Sequence, residues 1–410
     1  MKILYIAYSC DPYNGSEDQI GWNIPFESAK AGNDVYVLTK EEQRKNIEKY
    51  CEKNDIFNIK FYYVDILDIY KKIFKGFLFS TRIYFWMKEA FKLSKKICNE
   101  NSIEIIHQIT PVEFRMIGKF KKIKQIKFIV GPIGGGVNTP KSFRKYGKER
   151  AIIEFIRESA NKFFSFRYKF GNCEKKYDYI MYSNEETANI FEKNNFCEDK
   201  LYTEIGINEK NICIYKDFKE INIVNFIVVG RLIYLKGHDF LLDVIEKIDI
   251  SKKFIVTIVG DGPKYEKIYN RVNNSSVLKN RVKLLGRIDF DEMNKVYDDA
   301  HVLILPSIRE NTGTVVLEAM SRGVPVISYN GFGAKLIVNE KNGWLYNGMT
   351  TSDNINNLKT IIENILDNPN DIKIKSKRAL DDAKQYTWNN KINRFDKIYK
   401  KMLGDMNEKK

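Results

Sequence analysis

The chain has 410 residues, more than one ordinary hydrophobic core accommodates, and this suits two domains of about 200 residues each. Hydrophobic residues make up 43% and aromatics 13%, enough apolar material to fold, while ordinary glycine and low proline content exclude collagen-like and low-complexity sequence. The formal net charge is +15, and residues 71–150 alone hold 19 basic against 5 acidic side chains, so the charge is one positive region rather than a uniform background. Six cysteines without a CxxC pair, beside three histidines, exclude a zinc module and argue for a reducing, cytoplasmic compartment. The opening run Met1–Cys10 leads straight into Asp11, Glu17 and Asp18, which reads as a buried first strand rather than a signal peptide. No apolar run reaches the roughly 18 residues that a membrane-spanning helix needs.

In chain order, short continuous apolar runs predict strands at Ile3–Tyr8, Val35–Thr39, Ile59–Val64, Ile103–His107, Lys127–Val130 and Tyr179–Tyr182. A second series follows at Val224–Val229, Phe254–Val259, Val282–Leu285, Val302–Leu305, Val324–Ile327 and Trp344–Tyr346. Helical stretches lie between them, at His238–Ile248, Lys264–Val272, Asp291–Asp299 and Thr314–Ser321. Alternating strands and helices predict parallel sheets with right-handed crossovers, an α/β fold of two Rossmann-like, doubly wound domains facing each other across a cleft. The polar, lysine-rich stretch 201–222 separates the two series. The expected domains are therefore 1–205 and 206–387, with a charged C-terminal helix over 388–410 packing back on the first domain through Trp388 and Phe395.

Residues 71–96 mix eight basic side chains with Phe, Tyr and Trp, and a helical wheel puts Phe74, Phe77, Leu78, Tyr84, Phe85 and Phe91 on one side. Three readings stand: a helix with a core face and solvated lysines, an interfacial segment on anionic lipid, or a nucleic-acid contact.

The strongest chemical signal is Glu310-Asn-Thr-Gly-Thr-Val-Val-Leu-Glu318, directly after a buried strand. Gly313 allows a tight turn into a helix, and the amides of Thr314 and Val315 at its N-terminus form an anion site. Glu310 stands ahead of that turn to accept from hydroxyls, and Glu318 lies one turn past Thr314, within reach of a ribose. A second signal, Gly230-Arg231-Leu-Ile-Tyr-Leu-Lys236-Gly237, follows the first strand of the second series. Its guanidinium fork and ammonium make a clamp for a diphosphate.

With VGDGP at 259–263, LLGRI at 284–288 and EAMSRGVPVI from 318, these motifs resemble retaining glycosyltransferases of family 4, with the GT-B fold. In the first half, CDPYNGSE at 10–17, His107 and GPIGGG at 131–136 are similar to bacterial enzymes that build surface polysaccharides such as capsule and lipopolysaccharide. The resemblance implies that Arg231 and Lys236 hold the donor diphosphate beside Gly230 and Gly260, and that Glu310 holds the sugar hydroxyls. It implies further that Glu318 holds the ribose, that Gly313, Thr314 and Val315 bind phosphate, and that Arg287 and Ile288 edge the base. In the first domain it implies that Gly15 approaches the diphosphate, that His107 sits near the reacting sugar, and that Ser16, Glu17, Gly134, Gly135 and Gly136 meet the acceptor. The sequence departs from the family at Asn311-Thr312, where a small residue and an aromatic are usual, and in having one glycine, Gly15, in the first loop.

Two of these positions carry a plainer reading as well. His107 ends an apolar run and is either a satisfied boundary residue or a group over the crevice, and Gly134–Gly136 is either a turn or a close approach to ligand. Asp289-Phe-Asp291 has the DxD form of a metal site, but Asp291 before a helix reads as an N-cap with Glu292 in the first turn, and no metal is expected. The expected activity is metal-independent, retaining transfer of a sugar from a UDP- or GDP-sugar to a glycan or lipid-linked glycan. No cofactor or nucleic acid is expected, and a peripheral position at the inner face of the plasma membrane is expected through residues 71–150. The alternatives are a GT-B glycan phosphorylase and a basic nucleic-acid-binding protein.

Overall fold

The apolar runs of both series form strands in a computed structural model, which describes residues 1–56, 58–66, 79–170, 176–192, 197–215 and 221–407. The first series gives β1 (Lys2–Ala7), β2 (Asp34–Lys40), β3 (Ile59–Val64), β4 (Ile105–Thr110), β5 (Lys127–Ile133) and β6 (Tyr179–Tyr182). The second gives β7 (Val224–Val229), β8 (Phe254–Val259), β9 (Val282–Gly286), β10 (Val302–Leu305), β11 (Val326–Tyr329) and β12 (Gly343–Tyr346). Each series closes into one six-stranded sheet, in the order β3-β2-β1-β4-β5-β6 and β12-β11-β10-β7-β8-β9, and the registered pairs are parallel. Three of the strands differ by two or more residues at an end from the sequence expectation, β5 running on from Val130 to Ile133. β4 starts two residues late and runs on to Thr110, and β11 starts after Pro325, which has no N–H to give a ladder.

The chain divides into two compact units, Met1–Gly136 with Asn161–Gly206 and Trp388–Lys410, and Val137–Ala160 with Ile207–Thr387. Residues 137–160, expected inside the first domain, pack with the second unit. Phe143 is the reason: it is fully buried there, edge-on to Phe240 and to Tyr329, each at 5.2 Å between ring centroids. Tyr146 donates to Asp243 (2.7 Å), and Thr351 donates to the Ser142 carbonyl (2.7 Å).

In the first unit, alternate β1 residues serve opposite faces of the sheet: Leu4 and Ile6 join one core, Ile3 and Tyr5 the other. The helix Phe79–Asn101 covers the first face through Ile83, Trp86, Met87, Ala90 and Ile97, so part of the basic, aromatic stretch is core. Phe85 and Phe91 are half-buried beside it, and Tyr84 is exposed, one step off the buried stripe. Phe74, Phe77 and Leu78 lie outside the described residues. The other face is covered by the helix Trp388–Asn407, whose Trp388, Ile392, Phe395 and Tyr399 recur at helical spacing and are buried. Lys391, on the same helix, is buried and donates to the Thr203 carbonyl. No helix among the described residues is long and apolar enough to cross a membrane.

Cutting Trp388 back to Ala opens a cavity under this helix. The expected loss is about 3–5 kcal/mol, read as a lower urea midpoint for the first unit with an unchanged midpoint for the second.

Candidate active site

In the second unit β7 and β10 are neighbours although three strands apart in sequence, and the chain winds outward from them in both directions. Loops leaving the carboxyl ends of two such strands diverge, and the gap between them is where open α/β sheets bind ligands. The loop after β7 carries Gly230, Arg231 and Lys236, and the loop after β10 carries Ser307, Arg309 and Glu310. Across the gap the Lys236 ammonium and the Glu310 carboxylate form an ion pair, with 24% and 16% of their side chains exposed. Ser307 donates its hydroxyl to the same carboxylate oxygen (3.3 Å). Arg231 is exposed at the start of its loop.

Two glycines shape the floor. Gly260, just past β8, has φ 139°, and a Cβ there would lie 2.0 Å from the Gly230 carbonyl oxygen, so a side chain would force the loops apart. Gly313 has φ 86° where the chain turns into the helix Thr314–Ser321. The Val316 N–H returns to the Gly313 carbonyl (3.1 Å), while the amides of Thr314 and Val315 stand at the open helix end. Glu318 accepts from the Tyr297 hydroxyl (2.9 Å) and is bonded by Thr314 one turn back; burial raises its carboxyl above the usual range. Arg287 and Ile288 follow β9, separated from the Lys236–Glu310 pair by β8, and Arg287 is exposed.

The aspartates of the DxD sequence fall differently from the expectation. The helix begins at Phe290, so Asp289, in extended conformation (φ −69°, ψ 148°), holds the N-cap position, and Asp291 is already inside the first turn. The Asp289 carbonyl accepts from the Glu292 N–H (3.0 Å), and its side chain makes no cap bond. Among the described residues no group of three or more His, Cys, Asp or Glu could hold a metal ion.

One residue of the site has no signal in the sequence. Glu154, from the segment 137–160, accepts from Tyr234 (2.5 Å) in the β7 loop and from Thr139 (2.9 Å), and it pairs with Arg309 in the β10 loop. Burial works to raise its carboxyl, but the Tyr234 hydroxyl and the Arg309 guanidinium outweigh it and hold the group below its ordinary range. Glu154 therefore ties together the two loops that present Lys236 and Glu310. Its partners lie 80 and 155 residues away, so no local pattern marks it.

In the first unit β1 and β4 are the corresponding neighbours. Gly15 and Ser16 are exposed in the loop after β1, Ser16 at the start of the helix Glu17–Lys30. Glu17 accepts from the Val112 N–H, and burial raises its carboxyl. The Gly134 N–H donates to the Val112 carbonyl (3.2 Å) and the Gly136 N–H to the Thr187 hydroxyl (3.1 Å). A Cβ on Gly135 would meet the Glu113 carboxylate at 2.8 Å. Gly134 and Gly135 thus pack against the protein's own turn at Val112 and Glu113, and Gly136 against Thr187 and Ile190.

His107 departs from the expectation. Because β4 continues to Thr110, His107 lies inside the strand, on the face covered by the helix Trp388–Asn407, and is fully buried. One ring nitrogen, Nε2, lies 2.7 Å from the Gly131 carbonyl oxygen, which can only accept, so Nε2 carries the hydrogen. Nδ1 then accepts from the Tyr399 hydroxyl (2.6 Å). Burial pushes the imidazole pKa down to about 3 from 6.5, and the group is a neutral core histidine rather than one facing a reacting sugar.

A parallel α/β unit with a cation, a carboxylate and a helix end at its switch point belongs to the nucleotide-binding class of folds, and the match is more specific than that. Residues 219–385, all within the second unit, match the family described as glycosyl transferases group 1. An uncharacterized glycosyltransferase of Methanocaldococcus jannaschii is 25% identical over 319 residues, 77% of this chain and 81% of that one. Further curated relatives match shorter stretches, and the chain spans 40% or less of the next ones' own length. Among solved structures, the lipopolysaccharide outer core galactosyltransferase WaaB aligns with a TM-score of 0.66 at 17% identity, over 98% of this chain and 100% of that one. HepE of Anabaena in complex with UDP aligns with a TM-score of 0.60 at 12% identity, over 98% and 100%. The fold is that of the GT-B glycosyltransferases.

His107 binds a proton near pH 6.5 in the unfolded chain and only near 3 in the folded one. Its contribution to stability is complete above 6.5 and is lost as pH falls from 6.5 toward 3. The unfolding free energy from urea titrations across that window should fall for the wild type by an amount on the order of a few kcal/mol, and fall less for His107→Gln.

Proposed function

We propose that the protein is a retaining glycosyltransferase of family 4 that moves a sugar from a nucleoside-diphosphate donor to a hydroxyl of a glycan or lipid-linked glycan. The observation that carries this reading is the meeting of Lys236 and Glu310 across the β7–β10 gap, beside the helix end at Gly313. Breaking the glycosidic bond of the donor builds positive character on the sugar and negative charge on the departing diphosphate. Arg231, Lys236 and the amides of Thr314 and Val315 would receive that charge without reorganising, which lowers the barrier. Glu310 would hold sugar hydroxyls and Glu318 the ribose. No carboxylate in this scheme acts as a covalent nucleophile, so the acceptor attacks the face that the diphosphate leaves, assisted by the leaving phosphate as base, and the anomeric configuration is kept. The cations already neutralise the leaving group, and the scheme needs no divalent ion.

A nucleoside-diphosphate sugar as donor is supported by the UDP held by the Anabaena neighbour. An acceptor in bacterial surface polysaccharide, built at the inner face of the plasma membrane, is supported by the lipopolysaccharide role in the name of WaaB and by the positive charge of residues 71–150.

A thermal-shift panel of UDP, GDP, dTDP and ADP and their sugars tests the donor. The cognate compound at 100 times its Kd should add about 2.7 kcal/mol, and no shift with any of them would overturn the reading. With that donor and its acceptor, Lys236→Ala and Glu310→Ala should each lower turnover by about 10²–10³. Turnover should survive excess EDTA; strict dependence on manganese would return the Asp289–Asp291 sequence to the mechanism.

A further inference from the structure

The helix Ala151–Phe170 holds its largest apolar side chains in solvent. Ile152, Phe155, Ile156, Phe163, Phe166 and Phe170 are between 44% and 77% exposed, and the rings of Phe166 and Phe170 pack on one another at 4.7 Å between centroids. At about 100° per residue these six fall within an arc of about 100°, in two groups along a helix of about 30 Å with exposed Ser159 between them on the same face. The opposite side faces the protein through Glu154, Asn161 and Tyr168, all buried. Lys162 and Arg167 are exposed, and the helical period puts them on the two edges of the stripe. The helix has two carboxylates, Glu154 and Glu158, and both point away from it: Glu154 is buried, and Glu158 pairs with Arg144. Exposed Lys148 and Arg150 precede the helix, with exposed Glu149 between them paired to Lys267 (3.6 Å).

An apolar stripe of this size is not held in water without a use. A second copy of the same face would set Lys162 and Arg167 of both copies against each other with no carboxylate of the stripe to meet them. An anionic bilayer satisfies both parts, taking the rings at its acyl boundary and the cations at its phosphates. We propose that this helix docks the protein on an anionic membrane surface, lying in the interface plane with the Phe and Ile stripe inserted and with Lys162 and Arg167 among the headgroups. The inference is independent of the glycosyltransferase reading, since it needs neither donor nor acceptor. It adds the helix 151–170 to the positive region 71–150 as the part of the chain that enters the membrane surface.

The test is cosedimentation of the full-length protein with vesicles of phosphatidylcholine and phosphatidylglycerol, and with phosphatidylcholine alone. The wild type should bind the anionic vesicles. Phe163→Glu combined with Phe166→Glu should weaken that binding by about ten-fold or more, because two rings no longer leave water. Lys162→Glu combined with Arg167→Glu should weaken binding to the anionic vesicles and leave any binding to phosphatidylcholine unchanged. Both variants alter exposed positions and should keep the wild-type thermal midpoint, which separates lost docking from lost folding. Binding that both variants retain would overturn the proposal and return the contact to residues 71–150. A wild type that ignores vesicles and sediments as a dimer, with the double Phe variant a monomer, would assign the stripe to a second copy instead.

Discussion

The candidate site depends on one ion pair. Lys236 and Glu310 come from loops that leave adjacent parallel strands and turn in opposite directions. Nothing local brings an ammonium and a carboxylate together there; the β7–β10 pairing does. Once adjacent, the two groups place a cation and a carboxylate acceptor within one gap, the pairing that the proposed reaction would use. Gly260 lets the neighbouring backbone approach closely enough to floor it, and Gly313 turns the next helix so that its amide end faces the same region. The chemistry proposed for the protein is a reading of that geometry.

A buried second pair supports the first. Glu154 and Arg309 leave only 12% of each side chain exposed, and Tyr234 and Thr139 also donate to the carboxylate. Removing one partner of such a pair leaves a charge without compensation, which is why buried pairs specify a geometry more than they stabilise it. Here the geometry specified is the spacing of the β7 and β10 loops. The segment that brings Glu154 is anchored in the second unit by Phe143 and Tyr146, so the first half of the sequence contributes to a site whose motifs all lie in the second.

The first unit shows a similar dependence on distant sequence. Its core is completed by the helix Trp388–Asn407, and Tyr399 of that helix closes a chain of hydrogen bonds through His107 to the Gly131 carbonyl. Tyr5 lies 3.4 Å from the same Tyr399 hydroxyl. Four polar groups are thereby placed in an apolar layer with partners for each, at the cost of requiring the histidine to stay neutral.

How much of this was legible beforehand follows from the range of the interactions. Strands buried on both faces are written as short apolar runs, so the twelve strands among the described residues, the parallel α/β class and the position of the loops after β7 and β10 could be read directly. The motif residues around 230 and 310 were legible because glycine and charge cluster within a few positions of a strand end. Local pattern could not reveal which strand ends become neighbours, that β4 continues past His107 and buries it, or that residues 137–160 leave their own half of the chain. It was equally silent on which amphipathic helix turns its apolar face inward and which leaves it in water. Composition and periodicity determine elements; the partners of a buried carboxylate or imidazole are set by sheet order and packing, which bring together residues 80 to 292 positions apart.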